Sequence, residues 1–289
     1  MRCTPQPHKH KSTFVPSRLR VAALVFTCLA ACGSSPTSNI QTQTLTVFAA
    51  ASLLDAFTEI GKSFETVPPG VTVIFNFDGS QSLRTQIEQG AIADVVASAH
   101  QNEMDALITQ SLIFEDPRSG AEGANNQSQT FITNQLIVIL PPQNPANIQS
   151  LADLAHPGIL LVLASEDVPV GAYSRETLEK LNTQFGADYK DKVLANVVSS
   201  EDNVKQIVAK VQLGEADAGI VYASDAVAAP DLRTVAIPPD YNAVAEYPIA
   251  VLAAAPHPDL AAEFVAYVIS AEGQSILKKW GFTPALPSP

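Results

Sequence analysis

From Leu45 onward the apolar residues keep changing their period, and this constrains the fold more than any other feature of the chain. Residues 45–50 form a nearly continuous apolar run, the pattern of a buried strand, whereas Leu53, Leu54, Phe57, Ile60 and Phe64 recur at helical spacing. Val71, Val73, Phe75 and Phe77 alternate as a strand does; Leu83 and Ile87 then predict a helix, and 95–97 another strand. Further strands are expected at 136–140, 159–163, 193–198, 218–222 and 249–253, and helices at 173–181, 204–211, 264–269 and 276–280. Strands trading places with helices predict an α/β protein with mainly parallel sheets.

Two stretches interrupt this alternation, one polar and Gly-rich at 120–129 and one Pro-rich at 238–248. If both are hinges, residues 45–132 and 246–289 form one lobe and 133–245 a second lobe facing it across a cleft. A single doubly wound sheet fits the same composition, and there is no internal repeat.

The N-terminus is of another kind. The first 31 residues hold five bases (Arg2, Lys9, Lys11, Arg18, Arg20) and no acid, and end in a short apolar run at 21–31. Eleven residues are too few to span a bilayer as a helix, and the basic, apolar, small-residue order is that of a secretory signal. Leu29-Ala30-Ala31-Cys32-Gly33 resembles the lipobox of bacterial lipoproteins, which implies cleavage before Cys32 and a diacylglycerol on its thiol. Residues 1–31 are thus expected to be a signal peptide, and 32–44, small and polar, a lipidated Cys and flexible tether. With Cys3 and Cys28 removed and Cys32 acylated, no thiol remains for a disulfide, redox or zinc site. The expected location is extracytoplasmic, with the membrane reached only through the N-terminal lipid.

The chain carries 17 basic and 29 acidic side chains, and without the signal the excess of acids grows. Such a body repels nucleic acid and bare anionic membranes. GxSxG, HExxH, Walker A and GxGxxG signatures are absent, so no nucleophile, metal or nucleotide site declares itself. Acid pairs such as Asp153 with Glu166 read as solvated faces or caps, and His100 and His257 receive no catalytic role.

What does recur is a strand ending in small or hydroxyl residues, followed at once by a helix start. Such junctions occur at 49–53, 77–83, 168–173 and 199–204. Each leaves backbone N–H groups unpaired at a helix N-terminus, where anions bind without a positive side chain. Plain capping explains any one of them; four on two facing lobes suggest a site.

The segments TVFAAASL (46–53), GAIADVVASA (90–99), DVPVGAY (167–173), GIVY (219–222) with Asp225-Ala226, and EYPIA (246–250) together resemble the molybdate-binding proteins of ABC importers. The resemblance runs from about Leu45 to Thr283. It implies the type II periplasmic binding-protein fold, two α/β lobes joined by two hinge strands, with a tetrahedral oxyanion held in the cleft by hydroxyls and amides. Carried over position by position, Ser52 and Ser80 match the serine ligands, Val170 and Val204 the backbone-amide positions, and Tyr222 the tyrosine hydroxyl. These five would contact the metal only as its oxyanion, without direct coordination. Two positions depart from the family pattern: Asp78-Gly79 replaces a small or serine pair, and His100 stands where an Asp is common. Strand alternation from Phe77 allows Asp78 to point away from Ser80.

Molybdate, tungstate and sulfate are fully ionised near neutral pH and only accept hydrogen bonds, whereas phosphate profits from a carboxylate that takes its remaining proton. The implied ligands are all neutral donors. The expected role is therefore capture of molybdate, and of tungstate, by a monomer that delivers it to an ABC permease and its ATPase, without a cofactor and without catalysis. Binding of another anion, such as sulfate or a phosphonate, shares the fold. A lipid-anchored hydrolase would need a nucleophile and base that the sequence does not display.

Overall fold

The computed structural model describes residues 42–115 and 128–285. The signal-like segment, Cys32 and most of the polar break at 120–129 lie outside them. Among the described residues no helix is long and apolar enough to cross a membrane.

The first strand, β1 (Gln43–Ala50), turns through a 3-10 segment (Ala51–Leu53) into α1 (Leu54–Phe64); β2 (Val71–Asp78) enters α2 (Ser80–Glu88), and β3 (Val95–Ala97) leads to α3 (Gln101–Thr109). A long strand, β4 (Gln129–Leu140), carries the chain into the second half. There β5 (Leu161–Ala164), α4 (Pro169–Phe185), α5 (Tyr189–Leu194), β6 (Val197–Glu201), α6 (Val204–Gln212), β7 (Ala218–Tyr222), α7 (Ala223–Ala228) and β8 (Arg233–Ala236) follow. The return strand β9 (Val244–Val251) leads to α8 (Pro258–Ile269), α9 (Ala271–Lys279) and the short β10 (Thr283–Pro284).

The strands run in the order β2-β1-β3-β9-β4-β7-β5-β6, with β8 and β10 also paired to β4. Parallel pairing is confined to β1 with β2 and β3, and to β5 with β6 and β7. All partners of β4 and β9 are antiparallel, so the sheet is mixed rather than mainly parallel as the alternation predicts. The reason is topological: two strands that cross between lobes must run in opposite directions. Residues 129–135 of β4 pair with β9, and 136–140 pair with β7 and β8. This is a two-lobed α/β fold in which β4 and β9 are the shared strands.

Three local readings change. Residues 193–198 are not one strand: Val193 is fully buried on α5, and β6 begins only at Val197. The Pro-rich break at 238–248 ends inside β9. Pro248 fits there because β4 shifts register between Thr130 and Ile132, opposite a residue with no N–H to give the ladder. Strand β4 also starts at Gln129, seven residues earlier than its apolar run.

Both lobes close over apolar faces. The stripe Phe57, Ile60 and Phe64 on α1 is buried, and Phe57 meets Phe75, Phe131 and Phe264 at centroid distances of 6.2, 6.0 and 6.1 Å. In the second lobe Ile207 and Val211 on α6 pack beside Gly219 of β7, where a Cβ would come within 2.5 Å of Ile207. Burial on this scale, at roughly 25 cal/mol per Å² of apolar surface, holds each lobe as a rigid platform for its loops.

Candidate functional site

The four strand-to-helix junctions meet at one place. A cavity of about 20 Å³ is lined by Ala50, Ala51, Ser52, Asp78, Gly79, Ser80 and Ala99 from the first lobe, and by Val168, Pro169, Val170, Asn203, Val204 and Tyr222 from the second. All five residues singled out from the sequence are among them. That volume is far below the range of ordinary small-molecule pockets, about 300–1,000 Å³, and leaves no room for a ligand of more than a few atoms.

Each donor is placed by its local structure. Ser52 lies in the 3-10 segment after β1, buried, with its Oγ 2.9 Å from the Tyr247 hydroxyl on β9. Ser80 is the first residue of α2, also buried, and its Oγ accepts the Ala99 N–H at 3.0 Å. With a lone pair engaged, the Ser80 proton remains to be donated into the cavity. Val170 and Val204 lie in the first turns of α4 and α6, where backbone N–H groups have no intrahelical acceptor. Asn203 caps α6 by accepting the Gln206 N–H at 3.2 Å, which leaves the Val204 amide to the cavity.

Tyr222 ends β7 with its ring fully buried, and its hydroxyl has no hydrogen-bond partner among the described residues. Burial pushes the phenol well above its ordinary pKa, so it stays a proton donor throughout the physiological range. A buried hydroxyl without a partner is costly, by about 1–3 kcal/mol, and marks a place where an acceptor belongs. Its neighbour Tyr247, at a centroid distance of 5.8 Å, is shifted upward too, by burial above all.

Asp78 is the only charged side chain among the described residues lining the cavity, and it does not simply turn away. Its Oδ1 accepts the Gly79 N–H at 2.7 Å and the Asn203 amide, from the other lobe, at 3.2 Å. Those donors hold the carboxylate at the rim as a cross-cleft contact. His100 lies outside the lining. It caps α3 by accepting the Asn102 N–H at 3.0 Å and stacks on Tyr173 of α4 at 4.8 Å, and burial lowers its pKa, which keeps the ring neutral.

Tyr247 and Asn203 support the site without having been picked out by the spacing of their own neighbours. Asn203 carries the signal of a helix cap; Tyr247 carries none, since Ser52 lies 195 residues away. Among the described residues no group of three or more His, Cys, Asp or Glu is placed to hold a metal ion. What the cavity offers is hydroxyls, helix N-termini and amides, a set that recognises a small anion by donation alone.

The sequence profile of bacterial extracellular solute-binding proteins matches residues 45–283. The molybdate-binding protein ModA of Mycobacterium tuberculosis (strain ATCC 25618 / H37Rv) is 38% identical over 269 residues, 91% of this chain and 95% of that protein. Its namesake in Escherichia coli (strain K12) is 35% identical over 246 residues, covering 83% and 88%. Among solved structures, the periplasmic molybdate-binding protein of Azotobacter vinelandii superposes with a TM-score of 0.70 at 20% identity, over 84% of this chain and 100% of that one. With that fold, a profile match over most of its length and relatives alike over more than four fifths of both chains, the chain belongs to the family of bacterial extracellular solute-binding proteins.

Proposed function

We propose that this protein captures molybdate, and tungstate with it, outside the cytoplasm and delivers the anion to an ABC permease and its ATPase, with no catalytic step. The lobes would comprise 45–132 with 246–289, and 133–245, and the anion would be held by the hydroxyls of Ser52, Ser80 and Tyr222 and the amides of Val170 and Val204. The observation that carries this reading is the convergence of these five neutral donors on one small cavity, with a buried Tyr222 hydroxyl that has no partner among the described residues. The full-length likeness to molybdate-binding relatives supports the same anion.

A panel of oxyanions in a thermal-unfolding assay tests it. Molybdate or tungstate at ~100 times its dissociation constant is expected to stabilise the fold by about 2.7 kcal/mol. Phosphate is expected to do much less, because none of the five proposed donor groups is a carboxylate that would accept its P–OH proton. Sulfate has the same charge but shorter bonds, so a rigid cleft fitted to the larger anion leaves some donors out of reach. Stabilisation by phosphate alone would overturn the assignment, and stabilisation by sulfate alone would move it to the rival anion.

Anchoring through Cys32 belongs to the same proposal. A single acyl chain holds marginally and two or more hold firmly. Cys32→Ser is therefore expected to move the protein from the membrane fraction to the soluble one; a variant that still sediments with membranes after a high-salt wash refutes the lipid anchor.

A further inference from the structure

Directly behind three of the five donors lies an ion triad. Lys205 Nζ on α6 is 2.8 Å from Asp55 Oδ2 on α1 and 3.1 Å from Asp225 Oδ1 on α7. Asp225 is fully buried, and its Oδ2 accepts the Tyr222 N–H at 3.3 Å. Each member is close in sequence to a donor: Asp55 three residues after Ser52, Lys205 one after Val204, Asp225 three after Tyr222. Burial pushes the Asp225 carboxyl up, with the Lys205 ammonium opposing. The same burial pulls Lys205 down, yet Asp225 and Asp55 together hold it above its ordinary range.

The triad is divided between the lobes. Lys205 and Asp225 belong to the second and Asp55 to the first, so the Lys205–Asp55 pair bridges the cleft. Two neutral-donor contacts flank it, Asn203 to Asp78 and the Gln81 amide to the Asp202 carbonyl at 2.9 Å. If the lobes part, Lys205 keeps Asp225 as a partner and Asp55 meets water, so no charge is stranded in the interior. Opening then costs one partly exposed pair, with side chains 25% and 31% accessible, rather than an uncompensated buried charge.

We propose that this triad is a reversible charge latch for cleft closure, with Asp55 as a positioning residue that slows release of the bound anion without touching it. The inference rests on the anion-binding reading above. Lys205 is not among the residues lining the cavity; its charge joins α6, which carries Val204, to α1, which follows the segment that carries Ser52.

The test is Asp55→Asn in the full chain, which keeps the shape and removes the charge. Lys205→Ala would strand Asp225 and would examine folding instead of closure. Molybdate release is expected to quicken roughly 2- to 5-fold, with association little changed. Amide hydrogen exchange in the anion-free variant is expected to rise at 203–206 while 43–50 keeps its protection, and Asp55→Glu should restore part of both. Wild-type release and wild-type exchange in Asp55→Asn would overturn the latch. So would exchange raised equally throughout with a lowered melting temperature, since that marks a merely structural pair. If the native chain fails to bind molybdate, the anion reading falls and the exchange measurement still decides the latch.

Discussion

Replacing Gly79 with valine is expected to lower molybdate affinity by roughly 100-fold while leaving the melting temperature of the anion-free protein unchanged. Gly79 sits between Asp78 and Ser80 at the rim, and a Cβ there would meet the Asp202 carbonyl of the opposite lobe at 2.4 Å. The other near atoms, at 2.5 and 2.6 Å, end the flexible Gln81 side chain, which can swing aside; a backbone carbonyl cannot. The backbone at 79, with φ −58° and ψ 139°, suits any residue, so the cost falls on closure and not on the fold. A second lobe held back by about an ångström withdraws the Val170 and Val204 amides. Losing two hydrogen bonds to a charged ligand, at about 1.5 kcal/mol each, corresponds to that loss of affinity. Gly171 is the instructive contrast. A Cβ there would meet the Ser165 carbonyl of its own lobe at 1.9 Å, so Gly171→Ala is expected to lower the melting temperature itself. Equilibrium dialysis and thermal unfolding of both variants separate the two effects. Wild-type affinity in Gly79→Val would mean that anion capture does not require the lobes to meet as they do here.

Tyr222→Phe is expected to move stability and binding in opposite directions. The Tyr222 hydroxyl is buried without a partner among the described residues, so deleting it removes an unsatisfied polar group and is expected to leave the anion-free protein as stable or more so. The same hydroxyl is the proposed side-chain donor of the second lobe to the anion. A hydrogen bond to a charged group contributes about 1.5–3 kcal/mol, so molybdate affinity is expected to fall roughly 10- to 150-fold. Ser80→Ala behaves differently, because Ser80 Oγ also accepts the buried Ala99 N–H, and that variant loses stability together with affinity. Calorimetric titration and thermal unfolding of the two variants give the comparison. Unchanged affinity in Tyr222→Phe, or a stability loss equal to that of Ser80→Ala, would make Tyr222 a core residue and not a ligand.

The proposed donors could be picked out before any tertiary structure because the helix starts they sit on are a local signal. A helix start after a strand announces unpaired N–H groups, and Ser52, Ser80, Val170 and Val204 fall on such starts. Tyr222 entered only through family resemblance, since a tyrosine at the end of an apolar strand reads equally as core. Alternation alone left the direction of Asp78 open: its side chain is held by Asn203, 125 residues away and on the other lobe.

By itself the sequence determined where most of the strands and helices lie, since hydrophobic period is a property of neighbouring residues, and with that the four helix starts. It also determined that none of the residues chosen to bind the anion is itself charged. Only the tertiary structure decided the mixed sheet, because pairing direction depends on how β4 and β9 cross between lobes rather than on their composition. It also decided that Val193 belongs to a helix, where burial against the core and not the apolar run sets the outcome. The pairing of Ser52 with Tyr247 and the bridging of Asp55 to Lys205 were settled in the same way, by contacts across 195 and 150 residues that no local pattern encodes.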